Sequence, residues 1–158
     1  LAVLHRLGGI PGRRLVSMSC SGGEASVVAD QAESMDLDFP AFDDAHGARI
    51  ADTLSELVSV PNPLDYHTFI WGDPERLRTT FTAVLDGPLD AAMLVLDFPS
   101  AGLDDSGWWP TLGAFAEASR APGCRGWWWP RWPRTSPRRS RRRPTRPAWS
   151  PSAASARL

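Results

Sequence analysis

The stretch Leu15-Val16-Ser17-Met18-Ser19-Cys20-Ser21-Gly22-Gly23-Glu24-Ala25 decides how the rest of this chain is read. It opens as a short apolar strand, passes through a turn of small residues, and runs into a segment where Ala25, Val28, Ala29, Ala32 and Met35 recur at helical spacing. That is the first half of a βα unit. The periodicity predicts a strand over Leu15 to Ser19 and, after the Gly22-Gly23 turn, a helix running to about Asp36. The turn between them suits an anion, because amides at a helix start lack partners and lie at the positive end of the dipole. Gly22 and Gly23 let a phosphate approach the backbone with no Cβ in the way. In open α/β sheets ligands collect at the carboxyl ends of the strands, where this turn falls. A tight turn that binds nothing satisfies the same spacing.

Working outward, apolar runs alternate with amphipathic segments as far as Ser119, the pattern of helices packed on a parallel sheet. A short strand is expected over Leu37 to Phe39, ended by Pro40. Asp43 or Asp44 then caps a helix with Ile50, Leu54 and Leu57 on one face. Val58 to Val60 reads as a brief edge or connecting strand. The loop Pro61-Asn62-Pro63-Leu64-Asp65 carries two prolines that argue against regular pairing. Asp73, Pro74 and Glu75 make the clearest helix start in the chain, leading to a stripe of Leu77, Phe81, Val84 and Leu85. Ala92 to Phe98 reads as a central strand buried on both faces, with Asp97 at its carboxyl end. Gly107 to Ser119 reads as a helix with Leu112, Phe115 and Ala116 inward, after which a further strand is expected.

That strand is missing from the frame as written. The sequence turns to Trp127-Trp128-Trp129-Pro130-Arg131-Trp132 and then to an arginine-, proline- and serine-rich run without periodicity. Three tryptophans spell TGGTGGTGG, and a one-base shift converts the interior to valine codons, giving Val-Val-Ala. The same shift across Thr145 to Pro151 permits Tyr-Ala-Ala-Gly-Val-Val-Pro. The expectation is an insertion or deletion near Ala121 or Pro122, which leaves residues 122–158 as an out-of-frame, disordered tail behind a partial domain over 1–121. A genuine basic tail that binds nucleic acid through phosphates and stacking is the alternative.

Composition sets the outer limits. With 158 residues the chain holds one domain and too little for a multi-domain enzyme. Lysine is absent, and the net charge of -1 conceals a split: all 18 acidic residues lie at or before Glu117, while 10 of the 17 basic ones follow from Arg125. Cys20 and Cys124 have no metal-ligand or CxxC spacing. With no recognisable leader and no apolar run of about 20 residues, a reduced, cytoplasmic protein without a membrane partner is expected.

Among the chemistry-bearing residues, the turn lacks the lysine of a P-loop, and Ser19 stands where a G-x-S-x-G elbow on Ser21 needs glycine. Cys20 reads as a small strand-end thiol rather than a nucleophile. Asn62, Asp65 and His67 cluster in one loop that can reach the carboxyl edge as a site rim, and Asp97 is a further candidate there. His5 and His46 have less support, and neither a catalytic residue nor a metal ligand is assigned.

Together, the Ser21-Gly22-Gly23 turn, the Asn62-Pro63-Leu64-Asp65 loop and the Asp73-Pro74-Glu75 helix start resemble the NDP-forming acyl-CoA synthetases, the ADP-forming acetate–CoA ligase family. The resemblance covers about Leu4 to Ala121. It implies the later of that family's two flavodoxin-like domains, the one related to succinyl-CoA synthetase, here incomplete. The family makes acyl-CoA from a small carboxylic acid, CoA and ATP through an acyl phosphate and a phosphorylated histidine. By resemblance, Ser21, Gly22, Gly23 and Glu24 form a helix start that cradles the phosphate or phosphohistidine, although typical relatives carry Gly-Gly-Pro-Gly there. The family's Ser-His-Thr-Gly segment, CoA-binding domain and ATP-grasp domain are not found in the chain. The resemblance therefore implies an inactive fragment that binds no cofactor by itself, whose parent uses CoA, ATP and Mg. Its partners are then the other domains of that parent. A stand-alone flavodoxin-like binding module and a nucleic-acid binder acting through the tail are the other two readings.

Overall fold

The structure is a computed structural model that describes residues 12–120. Strand β1 (Leu15–Ser19) leads into α1 (Gly22–Glu33), and α2 (Asp44–Ala51) precedes β2 (Leu64–Asp65). A 3-10 turn over Thr68–Ile70, then α3 (Pro74–Leu85), β3 (Ala91–Leu94) and α4 (Trp108–Ala118), complete the described elements. The three strands are parallel in the order β2-β1-β3, with helices packed against them. This is a parallel α/β sheet, as the alternation of the sequence predicts, and an incomplete one of flavodoxin-like character, as the resemblance implies. The tail at 122–158, Cys124, His5 and the shifted-frame strands lie outside the described residues.

β1 is the centre of the sheet, and its five residues are all buried. Alternation along a strand sends Val16 and Met18 to one face, where they join Tyr66, Phe81 and Phe115 in the core. Phe81 lies at the middle of that cluster, with its ring edge-on to Tyr66 at 5.3 Å and to Phe115 at 5.9 Å. Ser17 and Ser19 take the other face, and α1 packs over β1 and β2. The expected stripe of α1 holds in direction, since Ala25, Val28, Ala29 and Ala32 are all partly covered. No residue of the helix is fully buried, and Met35 lies past its end, exposed.

One edge of β1 is shared by three different segments. At the bottom, Leu15 N donates to Asp38 O at 2.7 Å and Asp38 N to Arg13 O at 2.9 Å. At the top, β2 pairs Met18 with Leu64 and Ser19 with Asp65. Between them a continuing ladder needs an N–H at position 40, and Pro40 has none. The Asn62 carboxamide takes its place: Nδ2 donates to Leu15 O at 2.8 Å and to Pro40 O at 3.0 Å, and Oδ1 accepts from Ser17 N at 3.4 Å. The strand expected over Leu37 to Phe39 is therefore a single bridge between Arg14 and Asp38. Conversely, the prolines do not bar pairing in the next loop. They precede Leu64, so the missing N–H groups fall before the ladder begins. The Asn62-Pro63 peptide is cis.

The helix starts follow the caps read from sequence. Asp43 accepts from His46 N at 2.8 Å, and Asp73 accepts from Arg76 N at 3.0 Å with Pro74 in the first turn. α3 buries Leu77, Phe81, Val84 and Leu85 as predicted. α2 is shorter than its apolar spacing suggests. Ile50 is buried and Leu54 packs against the core, but Leu57 is 83% exposed and Val58 belongs to no strand. The cause is local: Thr53 N and Oγ1 both donate to Ile50 O, at 3.0 and 2.7 Å, and close the helix.

β3 also differs from expectation. It ends at Leu94 rather than Phe98, none of its residues is fully buried, and it is an edge strand among the described residues. Val95 N still donates to Met18 O at 2.9 Å, but β1 ends at Ser19 and offers nothing beyond. In α4 the buried stripe is Thr111, Ala114, Phe115 and Ala118, so Leu112 and Ala116 flank the contact with α3 rather than lead it. Among the described residues no helix is long and apolar enough to cross a membrane.

Replacing Asn62 by leucine strands Ser17 N, Leu15 O and Pro40 O without partners. A loss of about 3 kcal/mol in urea unfolding is expected. A loss below about 1 kcal/mol would show that the amide is dispensable to the sheet.

Candidate functional site

The carboxyl edge of the sheet is built from three strand ends. After β1 the chain is extended at Ser21, with φ −142° and ψ 128°, and α1 begins at Gly22. Ser21 O receives two donors, Ala25 N at 3.1 Å and Ser19 Oγ at 3.0 Å, which fixes the turn. The Ser21 side chain caps nothing. Both glycines are exposed. A Cβ on Gly23 would meet only Ser21 Oγ at 3.5 Å, whereas a Cβ on Gly22 would stand 3.3 Å from Asp65 Oδ2. The end of β2 thus comes directly against the start of α1.

Asp65 is held by its own loop. Its Oδ1 accepts from His67 N at 2.8 Å, and its Oδ2 lies 3.5 Å from His67 Nε2. His67 takes a positive φ of 58°, a conformation that costs a non-glycine residue about 1–3 kcal/mol. Its half-exposed ring stacks on Phe69 at 5.7 Å. The structure therefore brings Asp65 and His67 to the Ser21-Gly22-Gly23-Glu24 turn. Asn62 is not on that rim, because its amide is turned into the body of the sheet beside Leu15 and Ser17. His46 is also remote. It is buried, with Nε2 2.8 Å from Ala83 O, and ties α2 to α3.

Asp97, after β3, completes an acidic group with Glu24 and Asp65. Burial raises the Glu24 carboxyl above its ordinary range, and the charges of Asp97 and Asp65 add to this. Burial also raises the Cys20 thiol, followed by Glu24 and Asp97, so Cys20 is a neutral thiol as the sequence suggests. Tyr66 is pushed far up by burial and then by Cys20, Glu24, Asp65 and Asp97. Its hydroxyl and one oxygen of Glu24 are enclosed without a hydrogen-bond partner. Sequence reading passed over Tyr66, although it stands between Asp65 and His67. It also passed over Trp71, Phe98 and Trp108, whose rings meet beside this edge. Single aromatics in loops carry no periodic signal.

Chemically the edge holds two opposed tendencies. A helix start supplies roughly half a positive charge, while Glu24 lies in its first turn, Asp65 stands against Gly22 and the charge of Asp97 reaches Glu24. The balance is negative. Among the described residues no group of three His, Cys, Asp or Glu side chains is arranged to hold a metal ion.

The raised Glu24 carboxyl has a stability consequence with a definite sign. The folded state holds this proton more tightly than the unfolded chain, so stability is lost as pH rises from the ordinary glutamate value through the folded one. Glu24→Gln is expected to melt higher than the parent at pH 7, with the gain vanishing below about pH 4. Thermal melts at the two pH values check this, and an unchanged difference would refute the burial penalty.

No protein-family model matches the sequence, and no curated protein matches it. Solved structures do. PH0766 from Pyrococcus horikoshii OT3 aligns over 69% of this chain and 24% of its own, with a TM-score of 0.56 and 19% identity. The apo form of the dinucleotide forming acetyl-coenzyme A synthetase 1 of Ca. Korarchaeum cryptofilum aligns over 72% of this chain and 24% of its own. Its TM-score is 0.52 and its identity 20%. The same synthetase in complex with phosphate and ADP gives 0.52 and 19% over the same shares. This chain thus spans about a quarter of the length of the structures it matches. At 19–20% identity the likeness is one of fold: an α/β domain that occurs within larger chains, an acetyl-coenzyme A synthetase among them.

Proposed function

We infer that this chain is part of an acyl-CoA synthetase that joins a carboxylic acid to CoA at the expense of ATP. In this reading it is one partial flavodoxin-like domain. The start of α1 at Ser21, Gly22, Gly23 and Glu24 is its contribution to a phosphate or phosphohistidine site, with Asp65 and His67 at the rim. The observation that carries the reading is the position of that glycine turn, on the central strand's carboxyl end, in a fold shared with a synthetase solved with phosphate and ADP. The described residues fit phosphate at the backbone of Gly22 and Gly23 and not through any cation. The charges that bear on Glu24, Cys20 and Tyr66 are all acidic. Such a turn orients a phosphate but supplies neither the phosphorylated histidine nor the nucleotide. The chain alone is therefore inactive, and its partners are the CoA-binding and ATP-grasp domains of the parent. CoA, ATP and Mg belong to that parent.

Two measurements test this. Resequencing the coding DNA from upstream of Leu1 to beyond Leu158 is expected to show a one-base change near Ala121 that restores Val-Val-Ala. The flanks are expected to encode Ser-His-Thr-Gly before the domain and an ATP-grasp domain after it. An intact frame with neither flank removes the assignment. In the restored parent, Gly23→Val is expected to abolish phosphohistidine labelling and leave the melting temperature nearly unchanged, because the added Cβ meets only Ser21 Oγ. Undiminished labelling would take the turn out of the phosphate site.

A further inference from the structure

β3 carries a contradiction between composition and place. Between Asp90 and Asp97 the run Ala91-Ala92-Met93-Leu94-Val95-Leu96 holds no charge, no proline and no glycine, which is the make-up of a strand covered on all sides. Yet it lies at an edge of the described sheet, none of its residues is fully buried, and Met93 is 39% exposed. Edges that stay open are normally blunted by a charge, a proline or a bulge, and this run has none of them. Its free side can be placed group by group. Ala91 N donates to Arg14 O and Val95 N to Met18 O, so the odd-numbered residues turn toward β1. By alternation the N–H and C=O groups of Ala92 and Leu94 point away from it, where no strand among the described residues pairs with them.

The path of the chain says what comes to this edge. α3 carries the chain from β2 across β1 to β3, and its Leu77, Phe81 and Val84 join the core on the Val16 and Met18 face. α4 lies on the same face, since Ala114, Phe115 and Ala118 belong to that cluster and the helix packs along α3. It starts at the carboxyl edge, where Trp108 meets Trp71 and Phe98, and so returns the chain toward the amino ends of the strands. Crossovers between parallel strands are almost always right-handed. Two successive crossovers on one face therefore advance in one direction, and the strand after α4 arrives on the outer side of β3. α1 obeys the same hand: on the opposite face it takes the chain the other way, to the Asp38 bridge on the β2 side. Eight residues separate Ala118 from Trp127, a reach of roughly 26 Å, ample for turning from the helix end back to the sheet. We propose that the outer edge of β3 is a strand-acceptor edge, taken in the frame-restored chain by the Val-Val-Ala segment, which lies parallel to β3 and bonds Ala92 and Leu94. β-branched residues suit that place. The occupant, though not the edge, rests on the frame restoration set out under the proposed function.

The test is amide hydrogen exchange, followed by NMR, on two full chains: the chain as written, and the chain translated after a one-base correction near Ala121. In the chain as written, the amides of Met93 and Val95 are expected to exchange at least about tenfold more slowly than those of Ala92 and Leu94. In the corrected chain Ala92 and Leu94 are expected to become as slow as their neighbours, and the melting temperature to rise. Fast exchange at Ala92 and Leu94 in the corrected chain overturns the proposal and leaves the synthetase reading to its flanking segments. Slow exchange at both in the chain as written means that another occupant holds the edge, and overturns it too. A corrected chain that melts no higher than the written one has the same consequence. The correction is made in the laboratory whatever the genomic DNA reads. Slowed amides in the corrected chain therefore support the edge even where the flanks encode neither Ser-His-Thr-Gly nor an ATP-grasp domain.

Discussion

A single side-chain amide completes one edge of the described sheet. Asn62 supplies two donors and one acceptor at the point where Pro40 cannot continue a ladder, so one edge of β1 is completed by two backbone segments and a carboxamide between them. The position of everything on that side depends on it. β2 can pair with Met18 and Ser19 only if the chain from Pro40 has been anchored lower on the same edge and Leu64 arrives at the right height. Asp65 then meets Gly22, and the carboxyl edge takes its shape. Asn62, expected at the site rim, acts below it, as a splice.

The electrostatics of the upper edge follow from this construction. Parallel strands end side by side, so residues far apart in sequence, Glu24, Asp65 and Asp97, are forced into one neighbourhood. Glu24 and the two groups raised with it, Cys20 and Tyr66, are raised first by burial and only then by neighbouring groups, Asp65 and Asp97 among them. That order matters physically. Enclosure of these three groups raises the cost of charge on each of them. The helix start works against the acids, which makes this edge unlike a simple anion cradle even though the glycines of such a cradle are present.

Much of the fold was legible because it rests on local signals. The strand at Leu15–Ser19, the caps at Asp43 and Asp73, Pro74, and the stripe of α3 are matters of spacing and hydrogen-bond chemistry within a few residues. What was not legible depended on distant partners. No property of Leu64 or Asp65 announces a strand, since the pairing is conferred by β1. The early end of β3 reflects where β1 stops, not the apolar run Ala92 to Phe98, which continues past the ladder. α2 was overestimated because Leu54 and Leu57 keep a helical interval after Thr53 has closed the helix. For the candidate site, the glycine turn and the neighbouring Asp65 and His67 could be named in advance. Tyr66 and the rings of Trp71, Phe98 and Trp108 could not, because their meaning lies in what tertiary structure brings around them.

The contact between His46 and Gly87 constrains how this sequence can vary. The imidazole fills the space where any side chain at position 87 would go, its Cε1 meeting an added Cβ, and the same ring carries the link to Ala83 O. A larger residue at 87 thus requires a smaller one at 46 and a new means of joining α2 to α3. The two positions, 41 residues apart, form one unit of inheritance, and among related chains they are expected to change as a pair or stay fixed together.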